Sequence, residues 1–126
     1  MEPTEKSPFK GKTGLRRITN AAGYSMAGLS AAWADEAAFR QVCLLAFAGV
    51  ALMLWLPLPG LTRAIIVFAH LFCVVVELIN SAVEAAVDHT SLKLHPLAKR
   101  AKDMGSAAQM ISLMNLIAIW ACVLVF

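Results

Sequence analysis

The stretch LTRAIIVFAHLFCVVVELINSAVEAAV, residues 61–87, decides how this chain folds and where its chemistry lies. From Ala64 to Val76 the one plainly polar side chain is His70. Extended to Val87, the run is long enough as a helix to cross a hydrocarbon layer about 30 Å thick. Its last part then turns acidic, with Glu77, Asn80 and Glu84, and Asp88 just beyond. At ~100° per residue these four positions fall in a narrow stripe on one helix face. Like charges so spaced repel, and no structural need explains them. Ionisable groups inside a membrane span are expensive and mark functional sites. The stretch therefore predicts a membrane-crossing helix with a functional acidic face.

Composition agrees. Of 126 residues 60% are hydrophobic, against roughly 45–50% in soluble domains. A soluble chain this short buries only part of its surface and would leave much of that apolar area wet. The net charge of +3 is mild, and no stacking aromatics interleave with the basic residues, so nucleic acid is not an expected partner. A basic excess on such a chain instead fits a face turned toward cytoplasm and anionic lipid. Cys43, Cys73 and Cys122 each lie in an apolar run without metal-ligand spacing, and are read as free thiols packed as small hydrophobes.

Upstream, residues 1–12 are polar, contain Pro3 and Pro8, and are read as a flexible tail. Gly11-Lys12-Thr13 imitates the end of a phosphate-binding loop, but Lys6 stands where that loop needs glycine. No signal peptide is expected, because the first long apolar run starts only near Val42, behind a basic stretch. Residues 13–126 are read as one domain, opening with a helix over about 14–34. Leu15, Ile18, Ala22, Met26, Leu29 and Trp33 share one stripe of it. An amphipathic helix with a basic start and a Trp suits the membrane surface.

Three spans follow, at about 37–56, 61–87 and 105–126. Pro57-Leu-Pro-Gly60 breaks the chain between the first two. A polar loop from Asp88 to Asp103 separates the last two. The third span is 22 uncharged residues, about 33 Å of helix. The fold class is thus an all-α membrane protein. Lysines and arginines set its orientation. Lys6, Lys10, Lys12, Arg16, Arg17 and Arg40 precede the centre of the first span, and Lys93, Lys99, Arg100 and Lys102 lie in the second loop. Only Arg63 stands beside the Pro-Gly turn. The N-terminus and second loop are therefore expected in the cytoplasm, with the turn and C-terminus outside.

On that cytoplasmic side Asp35 and Glu36 precede the first span, and Lys99, Arg100, Lys102 and Asp103 lead into the third. Carboxylates from two elements and basic residues at one level suit a magnesium–nucleotide complex, because magnesium takes one or two carboxylates plus phosphate oxygens. Phosphoryl transfer also needs positioned cations and a carboxylate to orient the attacking hydroxyl. His70 reads as a packed or interhelical hydrogen-bonding residue, and His89 and His95 as solvated loop residues.

Five blocks, Ala21-Ala-Gly-Tyr24-Ser, Ala31-Ala-Trp33, Asp35-Glu-Ala-Ala-Phe-Arg-Gln41, Val76-Glu-Leu-Ile-Asn-Ser-Ala-Val-Glu84 and Arg100-Ala-Lys-Asp-Met-Gly-Ser106, closely resemble the prokaryotic diacylglycerol kinase family. The resemblance implies a homotrimer of three-span subunits in the bacterial inner membrane, each with a surface helix. It implies transfer of the γ-phosphate of ATP, with Mg2+, to the primary hydroxyl of diacylglycerol. By the same resemblance Glu77 is the general base, and Glu36 and Glu84 hold magnesium. Arg17, Tyr24, Lys102, Asp103 and the loop Lys93-Leu94-His95 meet the nucleotide. Arg17 also counts among the lipid-site residues, where Ala38, Phe39, Arg40, Gln41, Asn80 and Ser106 join Glu77. The site is expected between neighbouring subunits. Two alternatives stay open: a kinase of the same fold acting on undecaprenol, and a non-catalytic small membrane subunit. The latter explains Glu77 but gives no role to Glu36, Lys102 and Asp103.

Overall fold

The computed structural model describes residues 13–90 and 93–126. The expected tail, residues 1–12, lies outside them, as do Lys6, Lys10 and Lys12. Four α-helices make up the described chain: α1 Leu15–Asp35, α2 Ala37–Trp55, α3 Gly60–Thr90 and α4 Pro96–Val125. Chain contacts divide it after Asp35. In the first unit α1 carries Leu15, Ile18, Ala22, Met26, Leu29 and Trp33 along one face, as the spacing predicts.

In the second unit α3 is the central helix and packs against both α2 and α4. The break between α2 and α3 follows from proline chemistry. Leu56, held before Pro57, is extended at φ −83° and ψ 145°, the conformation that a following proline imposes. Its carbonyl accepts from Arg63 Nη2 at 3.2 Å, which ties the turn to the first turn of α3.

The second connection is shorter than the sequence predicts. α3 runs on to Thr90 and α4 begins at Pro96, so most of the expected 88–103 loop is helical. Pro96 is the reason, since proline suits the first turn of a helix, where its missing N–H costs nothing. His95 caps that start, its Nδ1 accepting from the Leu97 N–H at 3.1 Å. The polar residues 96–103 thus form the opening turns of α4 rather than a loop.

α2, α3 and α4, of 19, 31 and 30 residues, are each long and apolar enough to cross a membrane. Their core is small: Val42, Ala69, Cys73 and Leu116, with Val74, Leu113, Ile119 and Trp120 packed on it. Phe47, Trp55, Phe68 and Ile117 all point outward, and less than a third of each helix's most apolar window is buried within the chain. So much outward apolar surface would be a liability in water; it fits a multi-pass membrane protein. The cysteines are all free, but only Cys73 is packed as a small hydrophobe; Cys43 is partly buried and Cys122 is exposed.

One polar knot ties the three helices together. His70 on α3 is 2% exposed and accepts from Trp120 Nε1 on α4 at 3.1 Å. Gly49 on α2 covers the same ring so closely that a Cβ there would stand 2.0 Å from His70 Nε2. Gly49→Ala should therefore cost about 1–3 kcal/mol, as overpacking does. Thermal unfolding in detergent should show a lower midpoint for it. Gly28→Ala, where nothing lies within 4 Å of the new Cβ, should keep or raise the midpoint because Ala favours helix. Equal midpoints for the two variants would dismiss the close contact.

Candidate active site

Glu77 lies on the inner face of α3 and is 4% exposed. It is buried because position 77 continues the packed stripe of Ile66, Ala69, His70 and Cys73 down the same helix. Glu84, partly buried, follows seven residues on, two turns further along that face. Glu36 reaches the group from another element. It is the single extended residue before α2, at φ −110° and ψ 104°, and its side chain forms no capping hydrogen bond. Both the Glu36 and Glu84 carboxylates are near enough for their charge to act on Glu77. Two carboxylates, one from each of two elements, therefore bear on the buried Glu77 carboxyl.

Asn80, between Glu77 and Glu84, packs under α4. A Cβ at Gly105 would stand 2.2 Å from Asn80 Oδ1, so only glycine leaves room for that amide. Asn80 Oδ1 and Ser81 Oγ are buried without a partner. An acceptor enclosed in this way without a donor is costly.

Further along, the basic residues of α4 meet the end of α3. Lys102 Nζ donates to Asp88 Oδ1 at 3.0 Å, and Lys99 pairs with Asp103 one turn along α4. The Lys99–Asp103 pair is largely exposed and the Lys102–Asp88 pair somewhat less than half exposed. Exposed ion pairs hold weakly, so phosphate oxygens can replace Asp88 on Lys102. Asp88, Lys93, His95, Lys99, Lys102 and Asp103 line a hollow of about 240 Å³. Ligand pockets usually measure about 300–1,000 Å³, so this hollow by itself is smaller than most ligand sites.

The structure thus brings together Glu36, Glu77 and Glu84, sets Asn80 against Gly105, and gathers Lys93, Leu94, His95, Lys102 and Asp103 around one hollow. Ala38, Phe39, Arg40 and Gln41 form the first turns of α2, where Phe39 is 2% exposed and so acts as wall rather than open surface. Ser106 is exposed on α4. Arg17 and Tyr24 lie on α1, in the other unit. His95, read as a solvated loop residue, is exposed in the connection between α3 and α4 and also caps α4.

Among the described residues no three or more His, Cys, Asp or Glu form a metal cage. The donor set nevertheless suits a magnesium ion that arrives with a nucleotide. Such an ion needs only one or two carboxylates beside phosphate oxygens and water, and its charge would relieve the repulsion among Glu36, Glu77 and Glu84.

Sequence reasoning missed Gln109 and Ser112 on α4, which are buried and face α3 at the level of Cys73. The available signal was two polar residues three apart inside an uncharged run, a spacing that puts both on one helix face.

Comparison with known proteins bears on this site. A family model described as prokaryotic diacylglycerol kinase matches residues 23–124, which include every candidate residue except Arg17. The chain is 51% identical over 118 residues to the diacylglycerol kinase of Pseudomonas aeruginosa, covering 94% of this chain and 96% of the relative. It is 43% identical over 114 residues to that of Escherichia coli, covering 90% and 93%. To the diacylglycerol kinase of Helicobacter pylori it is 45% identical over 115 residues, covering 91% and 89%.

Proposed function

The chain belongs to the prokaryotic diacylglycerol kinase family, and from that premise we propose that it transfers the γ-phosphoryl group of ATP to the primary hydroxyl of diacylglycerol, giving phosphatidic acid and ADP. The observation that carries this reading is Glu77, a buried carboxylate on a membrane-crossing helix with Glu36 and Glu84 beside it.

Glu77 accepts the proton of the lipid hydroxyl as its oxygen attacks the γ-phosphorus. The bond to the β-phosphate oxygen breaks on the opposite side. A carboxylate in this role must lie within hydrogen-bond reach of the hydroxyl, and burial keeps water from competing as acceptor. Glu36 and Glu84 hold the magnesium of MgATP, which offsets phosphate charge. Lys102 turns from Asp88 to the phosphates. Asp103, Arg17, Tyr24 and the segment Lys93-Leu94-His95 complete the nucleotide's surroundings. Asn80, Ser106, Arg17 and the first turns of α2, Ala38, Phe39, Arg40 and Gln41, shape the place of the lipid headgroup.

Residues 13–126 act as one lipid-kinase domain in the bacterial inner membrane, with the N-terminus in the cytoplasm, the C-terminus outside and the reaction at the cytoplasmic surface. A homotrimer supports this chemistry in two ways. It would cover part of the outward apolar surface, and it would add a neighbour's residues to the hollow lined by Lys102 and Asp103.

The test is phosphate transfer from radiolabelled ATP, with magnesium, to diacylglycerol and undecaprenol side by side in mixed micelles. Label on diacylglycerol is expected. Label mainly on undecaprenol would keep the mechanism and change the lipid. Folded protein that labels neither would overturn the kinase reading in favour of a non-catalytic subunit.

A further inference from the structure

Facing Glu77 across the α3–α4 contact is a buried amide that the reaction as proposed leaves unused. Gln109 is 8% exposed and Ser112 is fully buried. Gln109 Nε2 donates to the Cys73 backbone carbonyl at 3.3 Å. That carbonyl also serves the helical N–H of residue 77, and its second lone pair is free for the amide. The contact orients Gln109, because a reversed amide would set oxygen against oxygen. The other end is held as well. Ser112 Oγ lies 2.6 Å from Gln109 Oε1 and 2.8 Å from the Gln109 carbonyl, and shares its one proton between them. The Cys73 thiol donates to the Ser112 carbonyl at 3.3 Å, which closes the network between the two helices.

One proton on Gln109 Nε2 remains unassigned. A helical side chain leans back over the turn before its own Cα, which directs the Glu77 carboxylate toward the turn of Cys73, where the Gln109 amide sits. The amide and the Glu77 N–H thus share the Cys73 carbonyl, which sets Gln109 one helical turn from the buried Glu77 side chain. A carboxylate is acceptor-only when ionised and takes charge-assisted hydrogen bonds strongly. One such donor would occupy one oxygen and leave the other for the lipid hydroxyl.

We infer that Gln109 is a positioning residue for Glu77: its amide, oriented by the Cys73 carbonyl and the Ser112 hydroxyl, holds one Glu77 oxygen so that the other meets the substrate hydroxyl. The inference rests on the reading of Glu77 as general base. Polar side chains between membrane helices also serve as simple interhelical glue, and the two roles predict different kinetics.

The full-length protein in lipid–detergent micelles decides between them. Gln109→Met keeps length and shape but removes the hydrogen bonds. It should lower kcat about 10- to 100-fold, the scale of a misplaced catalytic group. KM for MgATP and for diacylglycerol should stay within about twofold, and the unfolding midpoint should not fall. Ser112→Ala should lower kcat about three- to tenfold alone and add nothing to Gln109→Met, because it acts through the amide. A parent-like kcat in Gln109→Met overturns the inference. So does a loss carried by KM or by the unfolding midpoint, and so do losses that multiply in the double variant. If Gln109→Met does not assemble, Ser112→Ala decides alone: reduced kcat at unchanged KM supports the role, and parent-like kcat overturns it. Glu77→Gln is run in parallel. If it is inactive beside a fully active Gln109→Met, only the positioning role is lost; if it is itself active, the base assignment falls and takes the positioning role with it.

Discussion

Glu77→Gln is expected to lower turnover by about 10²–10⁴-fold, the contribution of a well-placed general base, while the protein folds and assembles as before. Glutamine fills the same space and offers the same reach, so packing on α3 is conserved. It cannot take a proton, however, and its amide presents a donor where the lipid hydroxyl needs an acceptor. The same exchange removes an ionisable group from a position that is 4% exposed. Burying a charge is expensive unless it is paired, so the unfolding midpoint should be equal or higher. A less active but more stable protein is the pattern of a residue kept for chemistry. The check is initial rate in mixed micelles beside thermal unfolding of the same sample. Turnover within tenfold of the parent would remove Glu77 from the role of base.

Glu84→Gln and Glu36→Gln are each expected to raise the magnesium concentration needed for half-maximal rate by about 10- to 100-fold. Loss even of a group that only supports a metal ligand costs that much. The effect should appear in a magnesium titration at fixed ATP, with KM for diacylglycerol little changed. Excess magnesium should restore part of the rate, since phosphate oxygens remain as ligands. The two residues come from different elements, the extended residue before α2 and the acidic face of α3. The double variant should therefore fall close to background at any practical concentration. An unaltered magnesium dependence in both single variants would count against them as ligands and leave them as charges that merely neighbour Glu77.

Much of this site is legible in the amino-acid sequence. The stripe of Glu77, Asn80, Glu84 and Asp88 follows from helical periodicity, because residues three and four apart share a face whatever packs against them. Glu36 is legible as a carboxylate at a helix junction, though its extended backbone and uncapping side chain are not. The start of α4 is misread, because polar residues 96–103 look like loop by hydropathy, while Pro96 and the His95 cap make them helix. Hydropathy reports which solvent a segment prefers, and helix formation in this stretch is governed by capping instead.

The spacing of Gln109 and Ser112 puts them on one face of their helix, but what that face meets was not legible. The span of α4 is apolar around almost its whole circumference, so no amphipathic stripe says which side turns inward. The close contacts Gly49–His70, Trp120–His70 and Gly105–Asn80 set how the helices meet and bring Gln109 to the level of Cys73 and Glu77. The sequence by itself determined the number of crossing helices, the prolines that separate them and the acidic face of α3, because each is a local property of hydropathy, backbone chemistry or helical repeat. Only the tertiary structure decided which side chains of α4 and of the start of α2 face that acidic stripe, because the rotation and register of one helix against another come from side-chain contacts between segments far apart in the chain.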